Sequence, residues 1–558
     1  MYDRKIYLYF ALAITGFLLW TAWQKDYAPK PQVAAQVAPS AIQPVLTPAA
    51  PGSVTTGEKN PQDRFIQVKT DALDIKIDKV GGNIVSLKLL KYPVAYETPQ
   101  IPVSLLTDDT ANYYVTESGF DSKNGLETSK TMFESPQSVY QLDPNKDDLA
   151  VDLTWKGNNI TVKKTYVFKR GKYDINLNHA LQNNANEAWQ GNLFAQIKRR
   201  GLSDENNIFG LHTYRGAAIS SPADVYEKIS YSKMDKENLN RVVKNGWLAM
   251  QQRYFVSALV PNLAEPLQYF SSVSSIGPTD KPADKIYTIG FKTPELTVPP
   301  HSVKNVATTL YSGPEIADVL KQVAPNLDRV IDYGWLSIFS VAIFKVMEWI
   351  HQFVKNWGVA IILVTVMIKL LFYKLSETSY RSMARMRNLQ PRLLALKDKF
   401  GDDRQKLSQA TMELYKKEKV NPLGGCLPMV IQIPVFIALY YVLIESVQLR
   451  QAPFIFWIHD LSVKDPFYVL PILMGLSWMM QQKLNPPPPD PVQAKMMMLF
   501  PVVFTVLFAT FPAGLVLYWI VNNCLSILQQ WYIMRKVENE GKKSLPKTKT
   551  KTRVSSSR

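Results

Sequence analysis

The chain has 558 residues and is therefore long enough for several domains. Its formal net charge is +17 and its mean hydropathy is −0.10. Its two cysteines, Cys426 and Cys524, lie in apolar segments, and its five histidines are scattered. The sequence therefore supports neither a disulfide framework nor a metal site. The basic residues cluster beside apolar segments, where the positive-inside bias of membrane proteins explains them without DNA.

The N-terminal region predicts a membrane anchor followed by a linker. Residues 1–5 are expected in the cytoplasm, and the apolar residues 6–23 are long enough for a first span. A cleaved signal peptide is the alternative, but no clear small-residue cleavage site follows directly. Residues 24–62 are rich in Pro, Ala, Gln and Val and carry little charge, which is typical of a flexible linker.

Residues 63–325 alternate between apolar and polar positions, which predicts an all-β, sandwich-like domain. Gly81-Gly82 marks a turn, and the sequence from Lys156 to Asn159 separates two alternating runs as a β-hairpin would. Because this domain follows the first span, it is expected outside the cytoplasm. The spacing of its Asp and His residues singles out no acid–base pair, and ligand binding by this domain stays open.

A helix with one charge among its apolar residues follows this domain. Residues 326–353 predict an amphipathic helix in the membrane interface. Residues 354–373 predict the second span, and Lys369 lies inside it. An ionisable group inside a span costs about 2.5–3.5 kcal/mol even on lenient insertion scales. Lys369 either extends its ammonium to the interface as a snorkelling residue or serves a functional site.

Residues 374–419 contain twelve Lys or Arg and six acidic residues. The sequence Phe400-Gly401-Asp402-Asp403 interrupts two helix-prone halves and places an aspartate to cap the second half, so we predict a cytoplasmic helical hairpin. A solvated charged loop that only sets the topology is the alternative.

The remaining chain predicts four further spans and a basic tail. The segments are the spans 422–444, 467–481, 496–511 and 514–534, the loop 445–466 outside the cytoplasm, the cytoplasmic loop 482–495 and the cytoplasmic tail 535–558. With the N-terminus inside, six spans put every strongly basic loop on the cytoplasmic side, as the positive-inside rule requires.

The sequence contains no P-loop, nucleophile elbow, HExxH or dinucleotide motif, so no catalytic chemistry is indicated. A channel or transporter usually has polar residues in several spans. Here polar residues are few: Thr365 and Lys369 in one predicted helix, Gln432 in the next, and Asn522, Asn523, Gln529 and Gln530 in the last. Thr365 and Lys369 are four residues apart and share a helix face. A hydrated cationic face could attract polar segments of another chain.

Several motifs resemble the YidC/Oxa/Alb family of membrane protein insertases, in its Gram-negative form with a large periplasmic domain. The matching segments are 380–387, 401–403, 419–428, 449–453, 457–461, 470–475 and 511–518. The resemblance implies an α-helical integral membrane protein with six spans and a five-helix insertase core, plus a periplasmic all-β super-sandwich domain related to sugar mutarotases.

The resemblance also implies a hydrophilic groove that is open to the cytoplasm and to lipid. Its charge is usually arginine, and Lys369 occupies that position here. Lysine keeps the charge but lacks the planar fork of donors. Thr365 matches a substrate-contacting position, and Trp519 stands where tyrosine is common. The predicted groove residues are Lys369, Thr365, Trp519, Tyr518, Gln432 and Asn523.

The sequence thus predicts a non-enzymatic insertase and chaperone of the bacterial inner membrane, without metal or cofactor. The partners implied by the resemblance are nascent membrane proteins, the Sec translocon with its accessory proteins, the ribosome through the basic tail and cytoplasmic loops, and the lipid bilayer, with no DNA. The alternatives are a small-solute transporter or channel and, third, a sugar enzyme in the β domain.

Overall fold

The computed structural model describes residues 64–122, 126–202, 213–263, 265–277, 279, 281–401, 403–418, 427–485 and 491–544. The predicted cytoplasmic N-terminus (1–5), first span (6–23) and linker (24–62) lie outside these residues. The described chain forms a large β domain followed by a helical region.

The β domain contains three sheets. Its strands are β1 (Phe65–Lys69), β2 (Leu73–Asp78), β3 (Asn83–Pro93), β4 (Pro102–Leu106), β5 (Tyr114–Ser122), β6 (Val139–Gln141), β7 (Asp148–Gly157), β8 (Ile160–Lys169), β9 (Asp174–Asn183), β10 (Trp189–Arg200), β11 (Gly216–Ile219), β12 (Glu227–Ile229), β13 (Asn240–Val243), β14 (Leu248–Gln252), β15 (Phe255–Pro261), β16 (Leu267–Ser275), β17 (Lys285–Lys292), β18 (Leu296–Val298) and β19 (Ser302–Pro314). One sheet has the order β4-β3-β2-β1-β6, and an eight-stranded sheet has the order β12-β11-β14-β15-β19-β9-β8-β7. A third sheet has the order β13-β16-β17-β10-β18, with β5 paired to β10.

The strands follow from the two-residue period of the sequence. In β10 every second residue is buried, so one face packs into the apolar core between the sheets while the other is partly solvated. Gly81 and Gly82 have positive φ angles of 75° and 61°, which side chains disfavour, and they form the predicted turn. Asn159, with φ 58°, turns the predicted hairpin between β7 and β8.

The helical region follows β19. Its helices, counted from a short one within the β domain, are α1 (Tyr231–Lys236), α2 (Ala317–Val323), α3 (Ser337–Val354), α4 (Trp357–Leu371), α5 (Tyr373–Asn388), α6 (Gln390–Phe400), α7 (Arg404–Lys417), α8 (Leu427–Glu445), α9 (Val469–Leu484), α10 (Pro491–Phe508) and α11 (Ala513–Ser544). Asp403 accepts hydrogen bonds from the backbone N–H groups of Gln405 and Lys406, so it caps α7 as predicted. Helix α10 begins inside the predicted loop 482–495, and α11 continues ten residues beyond the predicted span 514–534.

Among the described residues, Gly334–Val354 is long and apolar enough to cross a membrane. Helices α4 and α5 pass the same test only as a pair, and they are bent by 67° at their junction. The apolar segments Gln432–Glu445 and Lys495–Phe508 are shorter. The number of spans therefore stays a prediction, as does the interfacial placement of 326–353.

Helices α3, α4, α8, α9 and α11 share an apolar core that includes Met347, Ile361, Leu443, Met474 and Val516. The β domain and the helical region contact each other through arginines of each part that donate to backbone carbonyl oxygens of the other. Arg450 Nη2 donates to the carbonyl oxygens of Pro93 (2.6 Å) and Val94 (2.9 Å). Arg253 Nε donates to the carbonyl oxygen of Ile444 at 3.0 Å. The two parts of the described chain are therefore joined by hydrogen bonds.

Candidate functional site

The candidate site is built around Lys369, in the last turn of α4. Asn356 precedes the helix, and its side chain accepts a hydrogen bond from the Val359 N–H and so caps the first turn. Between them the helix is almost wholly apolar, and Ala360, Ile361 and Val364 are buried in the helical core. Because the helix carries Lys369 at its C-terminal end, the partial negative charge of that end favours the ammonium there.

Lys369 belongs to a hydrogen-bonded cluster that joins three helices. Its Nζ donates to Ser526 Oγ of α11 at 2.7 Å, and Ser526 Oγ donates to the carbonyl oxygen of Asn522 at 2.7 Å. Gln432 of α8 donates through Nε2 to Asn522 Oδ1 at 2.7 Å. We call Lys369, Gln432, Asn522 and Ser526 the polar cluster. In the part of the chain that the structure describes, no carboxylate pairs with Lys369, so its charge is not neutralised there.

A narrow cleft opens beside the polar cluster. Its lining includes Lys369 and Gln432, the hydroxyl-bearing Ser376 of α5, and the apolar side chains of Ile368 and Val435. The space within it is enough for about one water molecule, and a lysine and an amide supply the polar partners that such a water requires. The cleft can therefore be hydrated although most of its wall is apolar.

Thr365 lies outside the polar cluster. Its side chain is only 1% exposed, and its hydroxyl donates to the carbonyl oxygen of Ile361 at 2.6 Å, within the same helix. A threonine that bonds back to its own helix needs no partner elsewhere. The four-residue spacing to Lys369 therefore places the two residues on neighbouring turns but does not join them.

Trp519 and Tyr518 lie in an aromatic cluster. The Trp519 ring packs against Phe436 of α8, Phe508 of α10 and Trp478 of α9, with centroid distances of 5.0, 5.4 and 6.0 Å. Tyr518 is 1% exposed. The indole N–H of Trp519 is buried and has no hydrogen-bond partner among the described residues. These two residues form an apolar wall beside the helices that carry the polar cluster.

Asn523 contributes to a second polar contact. Its Nδ2 donates to Ser477 Oγ of α9 at 3.0 Å. About two turns further along α11, Gln530 Nε2 donates to Asn485 Oδ1 at 3.0 Å. Asn523 therefore bonds to α9, whereas Lys369 bonds to Ser526 on the same helix as Asn523, and their shared groove stays a prediction. Sequence reasoning missed Ser526 and Ser477. The spacing of Asn522 and Ser526, one helical turn apart, is the signal that would have indicated a polar stripe on α11.

Among the described residues, no group of three or more His, Cys, Asp or Glu side chains could hold a metal ion. The polar cluster presents a positive charge held by neutral hydrogen-bond partners in a mainly apolar helix bundle. Such a charge attracts negative or polar groups more strongly than it would in bulk water. Fold and site together define a helical membrane protein with a large β-sandwich domain and a cationic polar cluster in its helical part.

Comparison with known proteins identifies the family. Residues 65–346 match the family described as YidC periplasmic domain, and residues 349–540 match the family described as 60Kd inner membrane protein. The chain is 49% identical over 553 residues to a membrane protein insertase YidC of Coxiella burnetii, covering 96% of this chain and 97% of that protein. A relative of the same name from Legionella pneumophila is 48% identical over 557 residues, covering 96% and 98%.

The chain belongs to the YidC family of membrane protein insertases. It is an inner membrane protein with a β-sandwich periplasmic domain and a helical C-terminal region. A solved structure described as an active YidC insertase with the first transmembrane domain resolved is 17% identical, with a TM-score of 0.39, and covers 84% of this chain and 92% of that one.

Proposed function

We propose that this protein is a membrane protein insertase and chaperone that helps other inner-membrane proteins enter the bilayer and fold, without enzymatic catalysis. Its relatives carry the name of insertases, and the alternative of a small-solute transporter has no support among them. The observation that carries the proposal is the hydrogen bond of Lys369 to Ser526, which holds an unneutralised cation inside an apolar helix bundle.

The polar cluster supplies two physical effects to an incoming segment. The charge of Lys369 attracts its acidic or polar end, and water in the cleft next to Gln432 shortens the apolar distance that this end must cross. A charged side chain otherwise costs about 2.5–3.5 kcal/mol at the centre of a span. The apolar part of the segment then partitions into lipid. Lysine attracts as a point charge, so bidentate capture of a carboxylate is not part of this mechanism.

We assign the membrane topology as six spans, at 6–23, 354–373, 422–444, 467–481, 496–511 and 514–534, with both termini in the cytoplasm. The exposure of the side chains supports an interfacial placement of 326–353. Trp335, just before α3, and Ile338 and Phe353, within it, are at least 70% exposed, while the opposite face of α3 packs on the helical core. Thr365, Trp519, Tyr518 and Asn523 remain proposed groove residues. The Sec translocon and its accessory proteins are proposed partners, as is the ribosome through residues 374–419 and 535–558.

The proposal is tested by replacing Lys369. We expect Lys369→Ala to slow insertion of a single-span substrate with an acidic end about tenfold in proteoliposomes, because about 1.4 kcal/mol of charge attraction is lost. Lys369→Glu should slow it further, since a negative charge repels the same end. Lys345→Ala, which removes an exposed lysine from α3, is the matched control and should leave the rate unchanged.

Equal insertion rates for all three variants and the unaltered protein would contradict the charge-attraction mechanism. A substrate whose acidic end is replaced by glutamine and asparagine provides a second check. For that substrate the difference between the unaltered protein and Lys369→Ala should shrink, because the attracted charge is no longer present.

A further inference from the structure

A second cleft lies between α5, the end of α9 and α11, away from the polar cluster. Its volume is about 410 Å³. Its polar lining includes Arg387 and Asn388 of α5 and Arg535 of α11, and its apolar lining includes Leu484, Trp531 and Met534. Positive and apolar side chains therefore share one concave surface.

The two arginines of this cleft are available to a ligand. The guanidinium of Arg535 stacks over the Trp531 ring, 4.2 Å from its centroid, which fixes its position without neutralising its charge. Arg387 is exposed, and within the described residues neither arginine forms an ion pair. Glu538 also borders the cleft, and it has a contact of its own. The cleft therefore carries two arginines against one acid.

The cleft lies at the cytoplasmic ends of two proposed spans, at the level of the membrane surface. Met534 ends the proposed span 514–534, and Leu484 lies three residues beyond the proposed span 467–481. Trp531 and Tyr532 are 46% and 56% exposed, as expected of aromatic residues at the level of lipid headgroups. This step rests on the proposed membrane placement.

We propose that this cleft binds the headgroup of an anionic phospholipid from the cytoplasmic leaflet. Arginine side chains present several donors in the planar geometry that phosphate oxygens accept, so Arg387 and Arg535 hold the phosphate. Leu484, Met534 and Trp531 contact the glycerol and the upper acyl chains. A polynucleotide phosphate would use the arginines but leave these three apolar side chains without a partner, so the lining favours a lipid.

The test uses the full-length protein in detergent micelles and native mass spectrometry with added phosphatidylglycerol or phosphatidylcholine. We expect the unaltered protein to retain phosphatidylglycerol in preference to phosphatidylcholine. The double variant Arg387→Gln/Arg535→Gln should lose retention of phosphatidylglycerol about tenfold, because two cations near the headgroup are removed. The charge-matched control Arg385→Gln/Lys536→Gln alters exposed residues of the same two helices and should retain the lipid.

Equal retention of both lipids by the unaltered protein would overturn the proposal, as would equal losses in the double variant and its control. Loss of ribosomal RNA binding in the double variant with unchanged lipid retention would also overturn it and assign the arginines to a nucleic acid. Thermal unfolding of both variants excludes misfolding as the cause of a loss. Because lipid retention is measured without substrate insertion, its failure is distinguishable from a failure of the insertase proposal.

Discussion

At the scale of single residues, the partner of Lys369 is a hydroxyl and not a carboxylate. A carboxylate would satisfy the ammonium and cancel its charge, whereas Ser526 satisfies one of its donors and leaves the charge in place. The structure thus holds the cation in one position without reducing its attraction for a substrate. The long apolar stem of Lys369 carries its ammonium away from the apolar face of α4, as in snorkelling, and the ammonium ends at Ser526 Oγ.

The contribution of the Ser526 hydroxyl to positioning Lys369 can be measured by substituting Ser526. We expect Ser526→Ala to reduce insertion by about twofold to fivefold, because one hydrogen bond of about 0.5–1 kcal/mol no longer positions Lys369. Ser526→Thr keeps the hydroxyl and should retain most of the rate. The same proteoliposome assay provides the measurement. A loss in Ser526→Ala as large as in Lys369→Ala would show instead that Ser526 itself contacts the substrate.

The sequence predicted Lys369 and Gln432 as polar residues in apolar helices, and the structure joins them through Asn522 and Ser526. The sequence could not indicate Ser526 as a partner of Lys369, because 157 residues separate the two. A single serine in a helix also forms no periodic pattern. Thr365 illustrates the opposite case. Its spacing indicated a shared face, but its hydroxyl bonds to its own backbone, a local alternative that periodicity does not detect.

At the scale of secondary structure, α9 and α10 approach closely at Gly475. A β-carbon added there would lie 2.1 Å from Thr505 Oγ1, and that hydroxyl donates to the carbonyl oxygen of Pro501 at 2.7 Å. Glycine is therefore required by the neighbouring helix and not by its own backbone. The helix pair depends on the absence of a side chain on one helix and on a small one on the other.

We expect Gly475→Ala to destabilise the helical region by about 1–3 kcal/mol, since Thr505 must move to make room. Thermal unfolding in detergent should report this as a lowered melting temperature. In the double variant Gly475→Ala/Thr505→Ala the clash is removed, so much of the lost stability should return. If the double variant is no more stable than Gly475→Ala, close packing against Thr505 is not the cause.

The elements themselves were predictable to different degrees. The all-β character of the domain, the turn at Gly81-Gly82 and the hairpin turn at Asn159 follow from local rules of period and backbone freedom, so the sequence predicted them. Helix ends were less predictable. Pro491 suits the first turn of a helix because its missing N–H is not needed there, and α10 therefore begins before its apolar run. Beyond residue 534, Arg, Lys and Glu favour helix, so α11 continues without apolar periodicity.

At the scale of the whole molecule, a buried carboxyl lies near the junction of the β domain with the helical region. Glu315 follows β19 and is 3% exposed, and its Oε1 has no hydrogen-bond partner among the described residues. Burial raises the pKa of Glu315 well above its ordinary value, and the nearby negative charges of Glu445 and Asp332 raise this pKa further. The folded protein therefore favours the protonated carboxyl more than the unfolded chain does.

A carboxyl with a raised pKa stabilises the folded state at low pH and less so as pH rises. We expect the stability of the protein to decrease as pH increases from the ordinary pKa of glutamate towards and through the raised pKa of Glu315. Glu315→Gln should unfold at a higher temperature than the unaltered protein at pH 8 and depend less on pH, as measured by thermal unfolding at pH 5 and pH 8. Glu97→Gln, an exposed change, serves as the control. An unchanged pH dependence in Glu315→Gln would contradict this account.

The bonds between the β domain and the helical region have a consequence for how the two parts tolerate mutation. Arg450 and Arg253 donate to the main-chain oxygens of Pro93, Val94 and Ile444, and a main-chain oxygen is present whatever side chain the residue carries. The side chains of the accepting residues can therefore change without loss of the acceptor, whereas substitution of either arginine removes a donor. Over evolutionary time the side chains at Pro93, Val94 and Ile444 can vary while Arg450 and Arg253 still bond to the main chain there.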